Sequence, residues 1–166
     1  MMKICSIAFA LVVATEAAAH AGGVADSFGL GAEYQLSGIG GISGTYDAGM
    51  FHTGLAIGFY DKDAAGDTVF QIAGRFFWHI AGSAQADFSL GGSVGLETVT
   101  IPAMGMAAST TDVDVYIEPG FQIRAFVVPH VALSFTGGIS IGVAHDSTVA
   151  ITGQGLDGEA GVTYYF

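Results

Sequence analysis

Apolar side chains recur at every second position through most of this chain, with small or polar residues between them. Successive side chains of a strand point to opposite sides, so this period specifies strands with one apolar face. Phe28, Leu30, Ala32, Tyr34 and Leu36 share a face opposite Gly29, Gly31, Glu33, Gln35 and Ser37, and Gly38 to Gly41 turn the chain. Ile42, Tyr46, Ala48 and Met50 then oppose Ser43, Thr45, Asp47 and Gly49, and a link near His52 leads into Leu55, Ile57 and Phe59. A fourth run sets Phe70, Ile72, Phe76 and Trp78 against Gln71, Ala73 and Arg75; a fifth sets Phe88, Leu90, Val94 and Leu96 against Asp87, Ser89, Gly91, Ser93 and Glu97. The sixth places Val113, Val115, Ile117, Phe121 and Ile123 opposite Asp114, Tyr116, Glu118, Gln122 and Arg124. The seventh places Val131, Leu133, Phe135, Ile139, Ile141 and Val143 opposite Ala132, Ser134, Thr136, Gly138 and Ser140. The last strand sets Ala160, Val162, Tyr164 and Phe166 against Glu159, Gly161, Thr163 and Tyr165. Eight strands of about 9–15 residues are an even set long enough to cross a bilayer. Pro119 falls on an apolar face without an N–H to donate, so a bulge is expected there.

Composition decides which face meets water. Charged residues make up 11% of the 166 residues, hydrophobic ones 51%, and the mean hydropathy is +0.57. A soluble domain carries about 25% charged residues. The face that bears the charges is mostly Gly, Ala, Ser and Thr, a poor solvent surface but a good crowded interior. The apolar face therefore faces lipid. Links alternate in length, with the longer ones at 61–67, 101–111 and 145–155, as in barrels with short turns on one side and long loops on the other. Phe28, Trp78, Phe88, Tyr164 and Phe166 collect at the end where the termini lie and form an aromatic belt at one membrane interface. The expected fold is all-β: an eight-stranded antiparallel up-and-down transmembrane β-barrel. The net charge of −11 excludes nucleic acid as a partner.

Residues 1–21 read as a secretory signal peptide. Lys3 supplies the positive start, Ile4 to Val13 the apolar run, and Ala19-His20-Ala21 the cleavage pattern. The mature barrel domain then spans 22–166. Cys5, the one cysteine, leaves with the signal, so neither a disulfide nor a thiolate metal site is expected.

The terminal segment Glu159-Ala160-Gly161-Val162-Thr163-Tyr164-Tyr165-Phe166 resembles the assembly signal of bacterial outer-membrane β-barrels, with Glu159, Gly161, Tyr164 and Phe166 in the matching places. With the strand pattern, the whole mature chain looks like the small eight-stranded outer-membrane barrels: the membrane domain of outer-membrane protein A, outer-membrane protein X and the opacity-type adhesins. The resemblance implies a bacterial outer-membrane location after export, contact with membrane lipid and lipopolysaccharide, and recognition by the barrel-assembly machinery. It implies a monomer without metal or cofactor, and a structural or surface-interaction role.

An eight-stranded barrel is just wide enough for side chains to fill. The inward set is Glu33, Asp47, Arg75, Asp87, Glu97, Asp114, Glu118, Arg124 and Glu159. Buried charge is costly unless paired, so Arg75 and Arg124 should hold Glu33, Glu118 and Glu159 in a polar network that plugs the lumen. The remaining acids should lie at the mouths in water. A narrow cation-selective channel is the alternative use of the same network. His52, His79 and His130 read as interfacial side chains. Asp61 to Asp67 has some calcium-loop positions but lacks the bidentate acid, since Ile72 holds the twelfth place.

One constellation suggests catalysis. His145, Ser147 and Glu159 offer a base, a nucleophile and an orienting acid, and their spacing is similar to that of the outer-membrane lipid A deacylases. Thr148 stands where that family has an asparagine, and alternation puts Glu159 inward but His145 and Ser147 outward. The non-enzyme reading is preferred. A secreted soluble β-barrel that binds apolar ligands is the remaining alternative.

Overall fold

The alternating runs close on themselves. In the computed structural model, which describes residues 25–61, 66–103, 109–143, 149–151 and 157–166, the strands are β1 (Ser27–Gln35), β2 (Gly40–Asp47), β3 (Phe51–Asp61), β4 (Thr68–Gly82), β5 (Ala86–Ile101), β6 (Thr110–Val128), β7 (Val131–Gly138), β8 (Ile141–Val143), β9 (Val149–Ile151) and β10 (Asp157–Tyr165). Each of β1 to β6 pairs antiparallel with the next, β7 pairs with β10, and β10 returns to β1. The result is a closed eight-stranded antiparallel barrel. The short β8 and β9 pair with each other above the β7–β10 hairpin, β8 also lying against β6. Closure is sealed at the last residue: Phe166 N–H donates to Phe28 O at 2.9 Å. Closure removes the free edges of the eight barrel strands.

The distribution of polarity is inverted relative to a water-soluble domain. Leu36 is 78% exposed, Ile42 67% and Leu30 64%, whereas Arg124 is 2% exposed. The largest fully buried side chains are Arg124, Phe77, Asp47 and Ser89. Burying apolar area is the main driving force for folding in water, about 25 cal/mol per Å². A wall of exposed Leu, Ile and Phe gives that up, and the loss is tolerable only if something other than water covers it.

The second link differs from the expected one. Residues 48–50 form it, with Gly49 at φ 84°, a left-handed conformation that suits glycine. His52 therefore lies inside β3 and not in a link. Its neighbours in period two, Gly54, Ala56 and Gly58, share its inward face.

Pro119 does not cause a bulge. The β5–β6 register runs through it unbroken, with Gly92 opposite Pro119. The disturbance falls on the other neighbour. Gly120 pairs with Gly138 and Ile117 with Ile141, which sets Pro119 opposite Ile139, where β7 ends before β8. Ile139 N–H still donates to Pro119 O at 3.1 Å, but proline cannot return the bond. The missing donor is what divides the seventh strand into β7 and β8. Pro119→Val is expected to restore it. The restored bond adds about 0.5–1.5 kcal/mol, and losing proline's restraint on the unfolded chain removes about 0.4–1 kcal/mol. Net stability should therefore barely change while the new amide at position 119 exchanges slowly; fast exchange there would show that the proline does not divide the strand.

Candidate functional site in the barrel lumen

Two charged clusters are stacked along the inside of the barrel. The upper one joins β4 to the β1–β10 seam on the opposite wall. Arg75 Nη1 donates to Glu33 Oε2 at 2.6 Å and to Glu159 Oε1 at 2.9 Å, while Nη2 donates to Glu159 Oε2 at 2.5 Å. All three side chains are about one-tenth exposed. Such long side chains fit because glycine lines the wall beside them. A Cβ on Gly161 would stand 3.1 Å from Glu33 Cγ and 2.8 Å from Ser134 Oγ. Above this cluster Gln35 Nε2 donates to Gln71 Oε1 at 2.7 Å. Ile39, buried, folds inward from the first link onto Gly58.

The lower cluster lies at the end of the short turns. Arg124 on β6 donates from Nε and Nη2 to both oxygens of Asp87 on β5, at 2.7–3.1 Å. Its Nη2 also lies 2.7 Å from Asp47 Oδ2 on β2, and its Nη1 donates to the Tyr165 hydroxyl at 2.9 Å. The guanidinium carbon sits 5.5 Å from the Phe126 ring centre and 5.8 Å from that of Tyr165. Delocalised charge over an aromatic face is a favourable arrangement for arginine. Next to it His79 Nε2 is 3.0 Å from Arg124 Nη2 and 2.8 Å from His52 Nδ1, and His79 Nδ1 is 2.9 Å from Gly49 O. Phe77, 1% exposed, fills the space between the two clusters on β4.

The structure thus brings Glu33, Arg75 and Glu159 together but gives Arg124 different partners from those expected. Glu118 accepts from Ser93 Oγ at 3.2 Å. Asp47 and Asp87 are not in water at a mouth; they are 2% and 4% exposed and ion-paired. Glu97 and Asp114 stand opposite each other higher on β5 and β6. His52 and His79 are not interfacial either: both face the lumen, whereas His130 is exposed on its turn beside Tyr164. Both inward histidines were within reach of the alternation rule, because His52 follows Gly58, Ala56 and Gly54, and His79 follows Arg75 and Phe77, in steps of two.

Of the terminal segment, Glu159 and Gly161 sit on the inward face while Tyr164 and Phe166 are 55% and 65% exposed. Phe28 and Trp78 are outward at the same end, and Phe88 is half-buried there against Phe121. His145 and Ser147, the signal segment and most of the Asp61–Asp67 loop lie outside the described residues.

No protein-family model and no curated protein matches the chain. Solved structures do. The chain is similar to the N-terminal β-barrel domain of Pseudomonas aeruginosa OprF, with a TM-score of 0.62 and 12% identity over 86% of this chain and 98% of that one. It is also similar to a major outer membrane protein of Thermus thermophilus, with a TM-score of 0.55 and 11% identity, covering 84% of this chain and 99% of that one. Neisserial surface protein A gives a TM-score of 0.52 and 14% identity, covering 84% and 95%. At these identities the likeness is one of fold.

Proposed function

We propose that the protein is an integral β-barrel of a bacterial outer membrane, exported by its first 21 residues and held in the bilayer as a monomer with a plugged lumen. The observation that carries this is the inversion of polarity: a continuous wall of exposed Leu, Ile, Val and Phe around an interior whose most buried side chains include an arginine. Bilayer lipid makes that wall cost nothing, and closure satisfies the backbone without water. The aromatic residues at the short-turn end support placing that end at the periplasmic interface. The similar barrel of the Thermus thermophilus major outer membrane protein supports the same location.

The role we assign is structural or surface interaction, with lipid and lipopolysaccharide on the wall and the barrel-assembly machinery reading the last strand. Enzymatic use of Glu159 is disfavoured by its position: both carboxylate oxygens are engaged by Arg75 inside the lumen.

The test is membrane fractionation beside gel mobility of the detergent-refolded protein, heated and unheated. Outer-membrane partition with a heat-dependent mobility shift is expected. A protein that remains in the aqueous fraction without detergent and shows no shift would sink the reading.

A further inference from the structure

We propose that the inner face of the ribbon at the loop end, where β3 to β6 rise past the rest of the barrel, binds an organic cation that carries an apolar group. The ribbon exists because the strands differ in length. β4, β5 and β6 run for 15, 16 and 19 residues, whereas β1, β2, β7 and β10 run for only 8 or 9. The loop end of β2 is Gly40, which is paired with Phe59. Tyr60 on β3 therefore stands beyond the β1–β2 wall, and so do Val69 and Val99, which are level with it on β4 and β5. The wall across from them stops at Asp157 on β10 and Gln35 on β1.

The two faces of the sheet exchange character at that level. Phe59 and Phe70, paired on the outer face, are 55% and 43% exposed. The next outer row is Asp61, Thr68, Thr100 and Thr111, paired in that order across four strands. Thr100 Oγ1 lies 3.1 Å from Thr111 Oγ1 within it. Above this boundary the apolar residues are on the inner face instead. Tyr60, Val69 and Val99 form an inward row, and Ile101 follows Val99 on the same face. Ile101 is 42% exposed and the other three are half-buried. An apolar strip thus looks over the mouth of the lumen from a part of the sheet whose outer side is polar.

Charge selects what can occupy the strip. Val99 is paired with Asp112 and Glu97 with Asp114, all four facing inward. Asp112 is exposed, and Asp114 and Glu97 are half-buried. The stretches 61–68 and 97–114 together carry six acids and one lysine. Arg75 and Arg124 are held lower in the lumen by their own carboxylates. The mouth therefore attracts cations and repels anions. Among the described residues no group of three or more His, Cys, Asp or Glu is arranged to hold a metal ion, and an apolar strip adds nothing for one. A protonated amine with an apolar body uses both features. Its charge meets Asp112 and Asp114, and its body covers Val69, Val99 and Ile101, with the Tyr60 ring as a further apolar surface.

The test is an NMR titration of the refolded protein in phosphatidylcholine discs with phenethylammonium as the probe. Phenethyl alcohol keeps only the apolar body, and methylammonium keeps only the charge. Amide shifts at residues 97–101 and 110–114 are expected to move and saturate with phenethylammonium, and each control should bind at least about fivefold more weakly. The double variant Asp112→Asn, Asp114→Asn and the single variant Ile101→Ser should each weaken the probe at least about threefold. The absence of a saturable shift at these residues overturns the proposal. Equal binding of phenethyl alcohol overturns it by making the acids irrelevant, and equal binding of methylammonium does so by making the strip irrelevant. Unchanged affinity in both variants overturns it as well. If a variant does not refold, the three probes on the wild-type protein decide. The inference rests on the outer-membrane reading only in that this end faces the external medium. Membrane fractionation tests that reading separately, so the failure of one is distinguishable from the failure of the other.

Discussion

Replacing Arg124 with methionine is expected to lower the stability of the refolded barrel by about 3–5 kcal/mol, the usual result of removing one partner from a buried ion cluster. The reason is what stays behind. Asp47 and Asp87 are almost fully buried, and without the guanidinium they face each other as two uncompensated carboxylates. Methionine roughly preserves the apolar stem, so packing against Phe126 and Tyr165 changes little. Adding Asp47→Asn and Asp87→Asn to the same variant should recover most of the loss, since a cluster replaced as a whole is often close to neutral. Urea unfolding in lipid vesicles measures this. Trp78, the one tryptophan, stands outward on the wall and reports departure from the bilayer by its fluorescence. A loss below about 1 kcal/mol for Arg124→Met, a typical value for exposed ion pairs, would show that the lower lumen is wet.

Leu55→Arg should cost about 2–4 kcal/mol in a bilayer, the depth-dependent cost of a cation on the lipid face of a barrel near the midplane. Leu55 is 50% exposed in the middle of β3, between Gly44 and Gly74 on the neighbouring strands. Leu36→Arg, at the far rim beside the first link, should cost at most about 1 kcal/mol because it reaches the interface. The contrast between the two separates lipid from water as the solvent of the wall. On a water-soluble barrel both substitutions would replace an exposed leucine by a soluble side chain, with changes within about 0.5 kcal/mol. Equal and negligible effects at both sites would therefore remove the membrane from the account.

The sequence by itself determined the strand count, the antiparallel order and the direction of nearly every side chain. Those are properties of period two: once Leu30 is outward, Gly31 is inward, whatever the neighbouring strand does. It also determined that Arg75 and Arg124 face a crowded interior with an excess of acids, because no other surface with so few charges is available to them. The choice of partners was decided only by tertiary structure. Glu33, Arg75 and Glu159 meet because the stagger of strands around a closed barrel brings β4 level with the β1–β10 seam. The same stagger brings Arg124 level with Asp47 on β2, and the β5–β6 register sets it opposite Asp87; Glu118 lies six residues back on β6 itself, out of reach by strand rise alone. Alternation carries no information about that stagger, since it says which way a residue points but not how high it stands. The two lumenal histidines were obscured by a smaller displacement: taking the second turn near His52, and not at 48–50, removed His52 from its strand. Pro119 shows the same division. Its missing donor is legible in the residue type, but the strand that loses the bond is known only when Ile139 is found opposite it.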